Sequence, residues 1–115
     1  MTTDILRERS IEKTLKSCAT FLARWRGARA VMRELTPSHK SLRILLTKGE
    51  GNENLLVSCV DPITIRGPVW WPSSDLRVSR ATLPDGDDGF VVVDDQAGFE
   101  VYCGAVEVAE NVKLW

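Results

Sequence analysis

The chain has 115 residues, of which 43% are hydrophobic and 27% charged, and its formal net charge is −1. This composition is typical of a globular protein and excludes intrinsic disorder, which combines few apolar residues with a high net charge. The length predicts a single domain over residues 1–115, because a second hydrophobic core would not fit.

The amino-terminal residues lack the apolar segment of a secretion signal, and no stretch approaches the roughly eighteen apolar residues of a membrane span. We therefore expect a cytoplasmic protein without a membrane contact. Three widely spaced cysteines, Cys18, Cys59 and Cys103, lie in apolar segments. This pattern predicts free, buried thiols in a reducing compartment, since disulfide frameworks use even and denser sets.

An amphipathic helix is predicted from about Asp4 to Arg26. At about 100° per residue, an apolar stripe lies opposite a basic one. Acidic residues come early in the segment and arginines late, which complements the helix dipole. Gly27 is predicted to end the helix, because continuing in the same register would turn two arginines toward the core. The apolar stripe is Ile11, Leu15, Cys18, Leu22 and Trp25, and the basic stripe is Arg9, Lys13, Lys16 and Arg24.

Residues 28–35 fit two interpretations. They could form a short second helix or a first strand. The Thr36-Pro37 ending suits both, because proline disfavours α geometry in the residue before it.

After His39 the pattern changes to short apolar runs separated by turn residues, which predicts a sheet over residues 41–108. The connections are too short for the crossovers of a parallel sheet, so the strands must be antiparallel. With the helix on one face, the fold class is α+β with about six to seven short strands. Strands are predicted at 41–48, 54–60, 63–66, 76–80, 90–93, 99–103 and 105–108, with Asp61-Pro62 as an interruption.

Charge is divided unevenly along the chain. Residues 1–48 contain eleven Lys or Arg against four Asp or Glu, a net of +7, whereas residues 49–115 have a net of −8. A basic helix can bind nucleic acid through counterion release, with Arg9, Lys13, Lys16 and Arg24 as the contacts. The alternative is that the helix neutralises an acidic sheet while its outer face is solvated. No nucleic-acid-binding motif is present, so we do not expect a nucleic-acid partner.

The Gly67–Pro72 segment contains two adjacent tryptophans between prolines. Proline excludes a central strand, because it lacks the hydrogen-bond donor that a sheet requires. Adjacent residues of an extended chain point to opposite faces, so one indole could enter the core while the other faces outward. An exposed tryptophan on a rigid loop is a good contact anchor. The alternative is that Trp70 and Trp71 are both buried, as large aromatics often are in a small domain.

Catalytic and metal motifs are missing from the sequence. The single histidine, His39, lies in a polar turn, and no nucleophile elbow, Walker loop or dinucleotide-binding loop is present. The acidic residues of the loop at 85–88 have the wrong spacing for an EF-hand and are typical of turns. We therefore expect no metal, no cofactor and no enzyme, although carboxylates could converge in space where a sequence cannot show it.

The sequence thus predicts a small protein-interaction or regulatory module. We expect it to dock a protein partner, or a second copy of itself, through the Trp70-Trp71 loop and the nearby Arg66. Two alternatives stay open. One is a nucleic-acid-binding domain that uses the basic helix face, and the other is an enzyme or ligand-binding protein with a pocket between helix and sheet.

Overall fold

The computed structural model describes residues 2–36, 40–49 and 53–112. One helix is followed by strands that form a single seven-stranded sheet. No helix in the described ranges is both long and apolar enough to cross a bilayer. The elements are α1 (Thr2–Arg24), β1 (Arg29–Thr36), β2 (Ser41–Thr47), β3 (Asn54–Arg66), β4 (Trp70–Trp71), β5 (Arg77–Thr82), β6 (Asp88–Asp94) and β7 (Phe99–Glu110).

The α+β prediction is confirmed. The strand order is β4-β1-β2-β3-β7-β6-β5, and all neighbours are antiparallel. The helix lies against β5 and β7. The two-residue strand β4 stands at one edge of the sheet, as its flanking prolines require. Residues 28–35, which the sequence left open between helix and strand, belong largely to β1.

The helix is shifted by two residues from its predicted bounds, and its inward stripe is confirmed. Cys18, Leu22 and Trp25 are buried in the core, and Ile11 and Leu15 pack against that core from the side. The chain turns after the helix at a glycine with a φ of 87°, a left-handed conformation that favours glycine.

Two predicted strand breaks are wrong. The Asp61-Pro62 pair does not interrupt the sheet, because β3 continues through it with a register shift between Pro62 and Thr64. Asp61 takes the left-handed conformation that a bulge needs, with a φ of 52°. Proline is tolerated because, among the described residues, β2 pairs with β3 only up to Val60, so no described strand requires a hydrogen-bond donor from Pro62 on that side. Residues 99–103 and 105–108 likewise form one strand, β7.

Ion pairs fasten the helix to the sheet. Arg80 donates from both terminal nitrogens to the Glu8 carboxylate at 2.7 and 2.8 Å. The hydrogen bond from Arg80 lowers the pKa of Glu8. At the other end of the helix, Arg24 lies 3.0 Å from Glu110 of β7. These pairs join the basic first half of the chain to the acidic second half.

Asp94 is a fully buried acceptor in the interior. One carboxylate oxygen accepts the indole N–H of Trp71 and the backbone N–H of Asp75, each at 2.8 Å. The other accepts the backbone N–H of Ala97 at 3.3 Å. The Trp71 ring packs on Phe99 with a centroid distance of 4.8 Å. Asp94 therefore ties β4 to the turn between β6 and β7.

We expect Asp94→Ala to lower the free energy of unfolding by about 3 to 5 kcal/mol, because the buried indole N–H of Trp71 and the part-buried backbone N–H of Asp75 lose the carboxylate that accepts them. Urea denaturation measures the change. Asp95→Ala is the matched control, since the neighbouring side chain is exposed, and it should stay within about 0.5 kcal/mol of the wild type. Equal stability of the two variants would contradict the proposed role of Asp94.

The three cysteines are free and buried, as predicted from the sequence. A hydrogen bond to Cys103 and burial raise the pKa of Cys59, and burial raises the pKa of Cys18. The hydrogen bond from Cys59 lowers the pKa of Cys103, so slow reaction of that thiol depends on its complete burial. Because all three side chains are buried, a reagent in solvent should reach them only slowly in the folded protein.

We expect Ellman's reagent to modify all three cysteines rapidly in denaturant and only slowly in native buffer. Rapid labelling of the native protein would contradict this burial.

Candidate functional site

The connection from β3 to β4 brings the two tryptophans to the edge of the sheet. Gly67 starts it with a φ of 123°, and a Cβ atom there would lie 2.7 Å from the backbone oxygen of Gly98. Only glycine permits this close passage. The backbone N–H of Met32 then donates to the Val69 carbonyl at 2.7 Å, which docks β4 beside β1. These backbone features bring the tryptophans to the edge of β1.

The two tryptophans point to opposite faces of the sheet. Trp71 is opposite Ala30 of β1 and is 5% exposed, whereas Trp70 is opposite Val31 and is 55% exposed. This decides between the alternatives that the sequence left open. Trp71 belongs to the core and offers no contact surface, so of the two predicted anchors only Trp70 is accessible.

Trp70 stands at the end of an apolar row on the face turned away from the helix. Directly opposed residues of antiparallel strands share a face. The registers therefore align one side chain from each of five neighbouring strands. The middle of the row is buried and its two ends are accessible, with Trp70 the larger end. In strand order the row is Trp70, Val31, Leu45, Leu56 and Ala109.

An open cleft of about 330 Å³ lies at the Trp70 end of this row. Its walls are mainly aliphatic and aromatic, and the side chain of Val69 is 63% exposed. One charged group, the guanidinium-bearing Arg29, lines it as well. We call this feature the Trp70 cleft, and its residues are Arg29, Val31, Met32, Val69 and Trp70.

Arg66, the third predicted contact, lies at the end of β3 and does not line the cleft. Its guanidinium is 3.3 Å from the Glu100 carboxylate on β7. The Arg66 side chain is 76% exposed, so the pair is a surface ion pair of small energy. The structure thus brings Trp70 to the cleft and leaves Arg66 and Trp71 outside it.

The basic helix face contains three exposed residues, Arg9, Lys13 and Lys16. Arg24 is different, because its guanidinium pairs with Glu110 and also lies 4.8 Å above the Phe21 ring. The predicted nucleic-acid face is therefore reduced by one residue. The remaining three form a short exposed basic stripe on α1.

A second cleft, of about 260 Å³, lies between helix and sheet, where the sequence analysis placed a possible ligand pocket. Lys13, Ser17 and Glu107 are among its lining residues. Within residues 2–36, 40–49 and 53–112, no three metal-ligating side chains come together. His39 lies outside the described residues.

The sequence predicted Trp70 as a contact residue but did not predict the other residues that line the cleft. Arg29 and Val31 lie about forty residues earlier, in the segment left open between helix and strand. Their approach depends on the register between β1 and β4, which pairs only two residues on each strand. The flanking prolines indicated an edge strand, but no local pattern indicates which strand it joins.

The chain matches no protein-family model, and neither curated proteins nor solved structures show a similarity to it. The site is therefore interpreted from its own geometry and chemistry.

We expect Trp71→Ala to cost about 3 to 5 kcal/mol of unfolding free energy and Trp70→Ala less than about 1 kcal/mol. The reason is that, of these two tryptophans, only Trp71 is buried in the core and donates a hydrogen bond to Asp94. Chemical denaturation of both variants tests this difference. Trp71→Phe provides a folded comparison if the alanine variant does not fold. Equal losses at positions 70 and 71 would contradict the opposite orientations.

Proposed function

We propose that this protein is an interaction module that docks a protein partner through the Trp70 cleft. The main support is the exposure of Trp70 in a mainly apolar cleft. Its indole is 55% exposed, whereas the adjacent indole of Trp71 is 5% exposed. Exposing a large aromatic side chain leaves apolar area in water, and such patches mark contact surfaces when they are concave and contiguous. Tryptophan is also enriched among the residues that dominate binding energy.

Rigidity supports this assignment. Trp70 is held by the neighbouring Trp71, which is anchored to Asp94, and by the Met32 to Val69 hydrogen bond. An anchor that is already ordered loses little conformational entropy on binding. The cleft therefore combines accessible apolar area with a preorganised frame, which is the combination that gives a contact site its affinity.

Nucleic-acid binding through Arg9, Lys13 and Lys16 is less well supported. These three residues share the helix surface with Glu8 and Glu12, and no aromatic platform accompanies them. An enzyme that uses the helix and sheet cleft is supported by the lining residues Lys13 and Glu107 alone. Neither alternative has a feature comparable to the exposed indole.

The experiment compares affinity capture by three baits: the wild-type chain, Trp70→Ser and Leu6→Ser. Leu6 is the matched control, because it is an apolar residue with 60% exposure on the helix, away from the cleft. Proteins from an extract of the source cells are quantified by mass spectrometry. We expect a set of proteins bound by the wild type and by Leu6→Ser to be depleted at least about tenfold on Trp70→Ser, corresponding to a hot-spot loss above 1 kcal/mol.

Light scattering on the same three proteins separates a partner from self-association. A dimer that Trp70→Ser dissociates and Leu6→Ser preserves would identify a second copy as the partner. Identical capture and identical mass for all three baits would reject the Trp70 cleft as a docking site.

A further inference from the structure

Two arginines of β1, Arg29 in the Trp70 cleft and Arg33, form no ion pair with any residue that the structure describes. Seven of the ten arginines form ion pairs with residues of the described ranges. The exceptions are Arg9 on the helix and Arg29 and Arg33 on β1, and all three side chains are exposed. The nearest acidic residue in sequence, Glu34, is taken by Arg43 at 3.4 Å. The paired arginines are Arg7, Arg24, Arg26, Arg43, Arg66, Arg77 and Arg80.

The same strand has a free edge. β4 pairs with β1 only at Ala30 and Val31. Beyond the Met32 hydrogen bond, residues 33–36 have no neighbouring strand on that side within the described part of the chain. Leu35 on this stretch is 51% exposed. A free edge presents backbone N–H and C=O groups that an extended segment of another protein can pair with.

We propose that the Trp70 cleft and the free edge of β1 bind an extended, acidic segment of a partner protein. The segment pairs its backbone with residues 33–36 and places an apolar side chain against Trp70 and Val69. Its carboxylates lie on Arg29 and Arg33. This inference rests on the proposed function and specifies the chemistry of the partner.

Charge complementarity selects this occupant over others. Unpaired guanidinium groups favour carboxylates or phosphates. The cleft has one aromatic and three aliphatic walls, whereas single-stranded nucleic acid is bound on successive aromatic platforms. A stable dimer buries about 800 Å² on each partner. The five-residue cleft and the four-residue edge offer room for one strand, so a peptide segment fits better than a second folded copy.

The test is selection from a random linear-peptide library displayed on phage, with the full-length chain as target. Parallel targets are Trp70→Ser, the double variant Arg29→Ala/Arg33→Ala, and the control Arg9→Ala/Lys13→Ala. The control removes two exposed cationic side chains from the helix instead of the strand. Circular dichroism and thermal unfolding first establish that all variants keep the wild-type fold.

We expect peptides selected on the wild type to be enriched in Asp and Glu over Lys and Arg and to contain an apolar anchor. The enrichment should vanish on Trp70→Ser. The best peptide, synthesised and labelled, should bind the Arg29→Ala/Arg33→Ala variant about tenfold more weakly. It should bind the Arg9→Ala/Lys13→Ala variant with unchanged affinity. Hydrogen exchange should show new protection at residues 33–36 in the complex.

The outcomes that overturn the inference differ from those that overturn the docking site. Trp70-dependent peptides that are uncharged or basic would reject the acidic partner and keep the cleft. Tighter Trp70-dependent binding of oligothymidylate than of any peptide would reject a protein segment. Acidic peptides that bind without added protection at residues 33–36 would reject strand pairing. No Trp70-dependent enrichment, together with unaltered capture by Trp70→Ser, would reject both the inference and the proposed function.

Discussion

The hydrogen bond from the Trp71 indole to the buried Asp94 carboxylate holds Trp71 inside the protein and leaves Trp70 as the accessible indole of β4. It draws β4 toward the turn between β6 and β7, although β4 pairs with β1 through only two residues. Successive side chains of a strand point to opposite faces. Holding Trp71 in the core therefore forces Trp70 outward. A core interaction, rather than any property of Trp70 itself, creates the cleft.

The short length of β4 has a second consequence. A strand that pairs only with Ala30 and Val31 covers part of one edge and leaves the rest of β1 open. Proteins usually protect such edges with charge, and here Arg33 occupies the bulge between Met32 and Glu34. The positive charge of Arg33 disfavours pairing with a neutral or basic strand. A strand that contains carboxylates would neutralise this charge. In the proposed complex, the same side chain would both discourage unspecific edge pairing and favour the acidic segment.

The sequence correctly predicted the features that depend on local periodicity. It did not predict the features that depend on contacts between distant segments. The inward stripe of the helix, the antiparallel sheet and the buried thiols follow from residue patterns and chain connections. The continuity of β3 through Pro62 does not, because proline breaks a strand only where its missing donor is needed. That depends on where β2 begins, because among the described residues its pairing with β3 starts at Ser41, opposite Val60. The choice between Trp70 and Trp71 likewise depends on Asp94, more than twenty residues away.

The fold brings charged residues of the two chain halves into ion pairs. Arg24 with Glu110, Arg26 with Asp75 and Arg80 with Glu8 each join one half to the other. Arg24 with Glu110 and Arg26 with Asp75 pair a cation of the basic half with a carboxylate of the acidic half and so offset part of the imbalance, whereas Arg80 with Glu8 pairs in the opposite sense. Against that background, unpaired arginines on a sheet strand are exceptions. Because Arg29 also lines the cleft that Trp70 opens, its missing counter-charge is expected to come from the molecule that occupies the cleft.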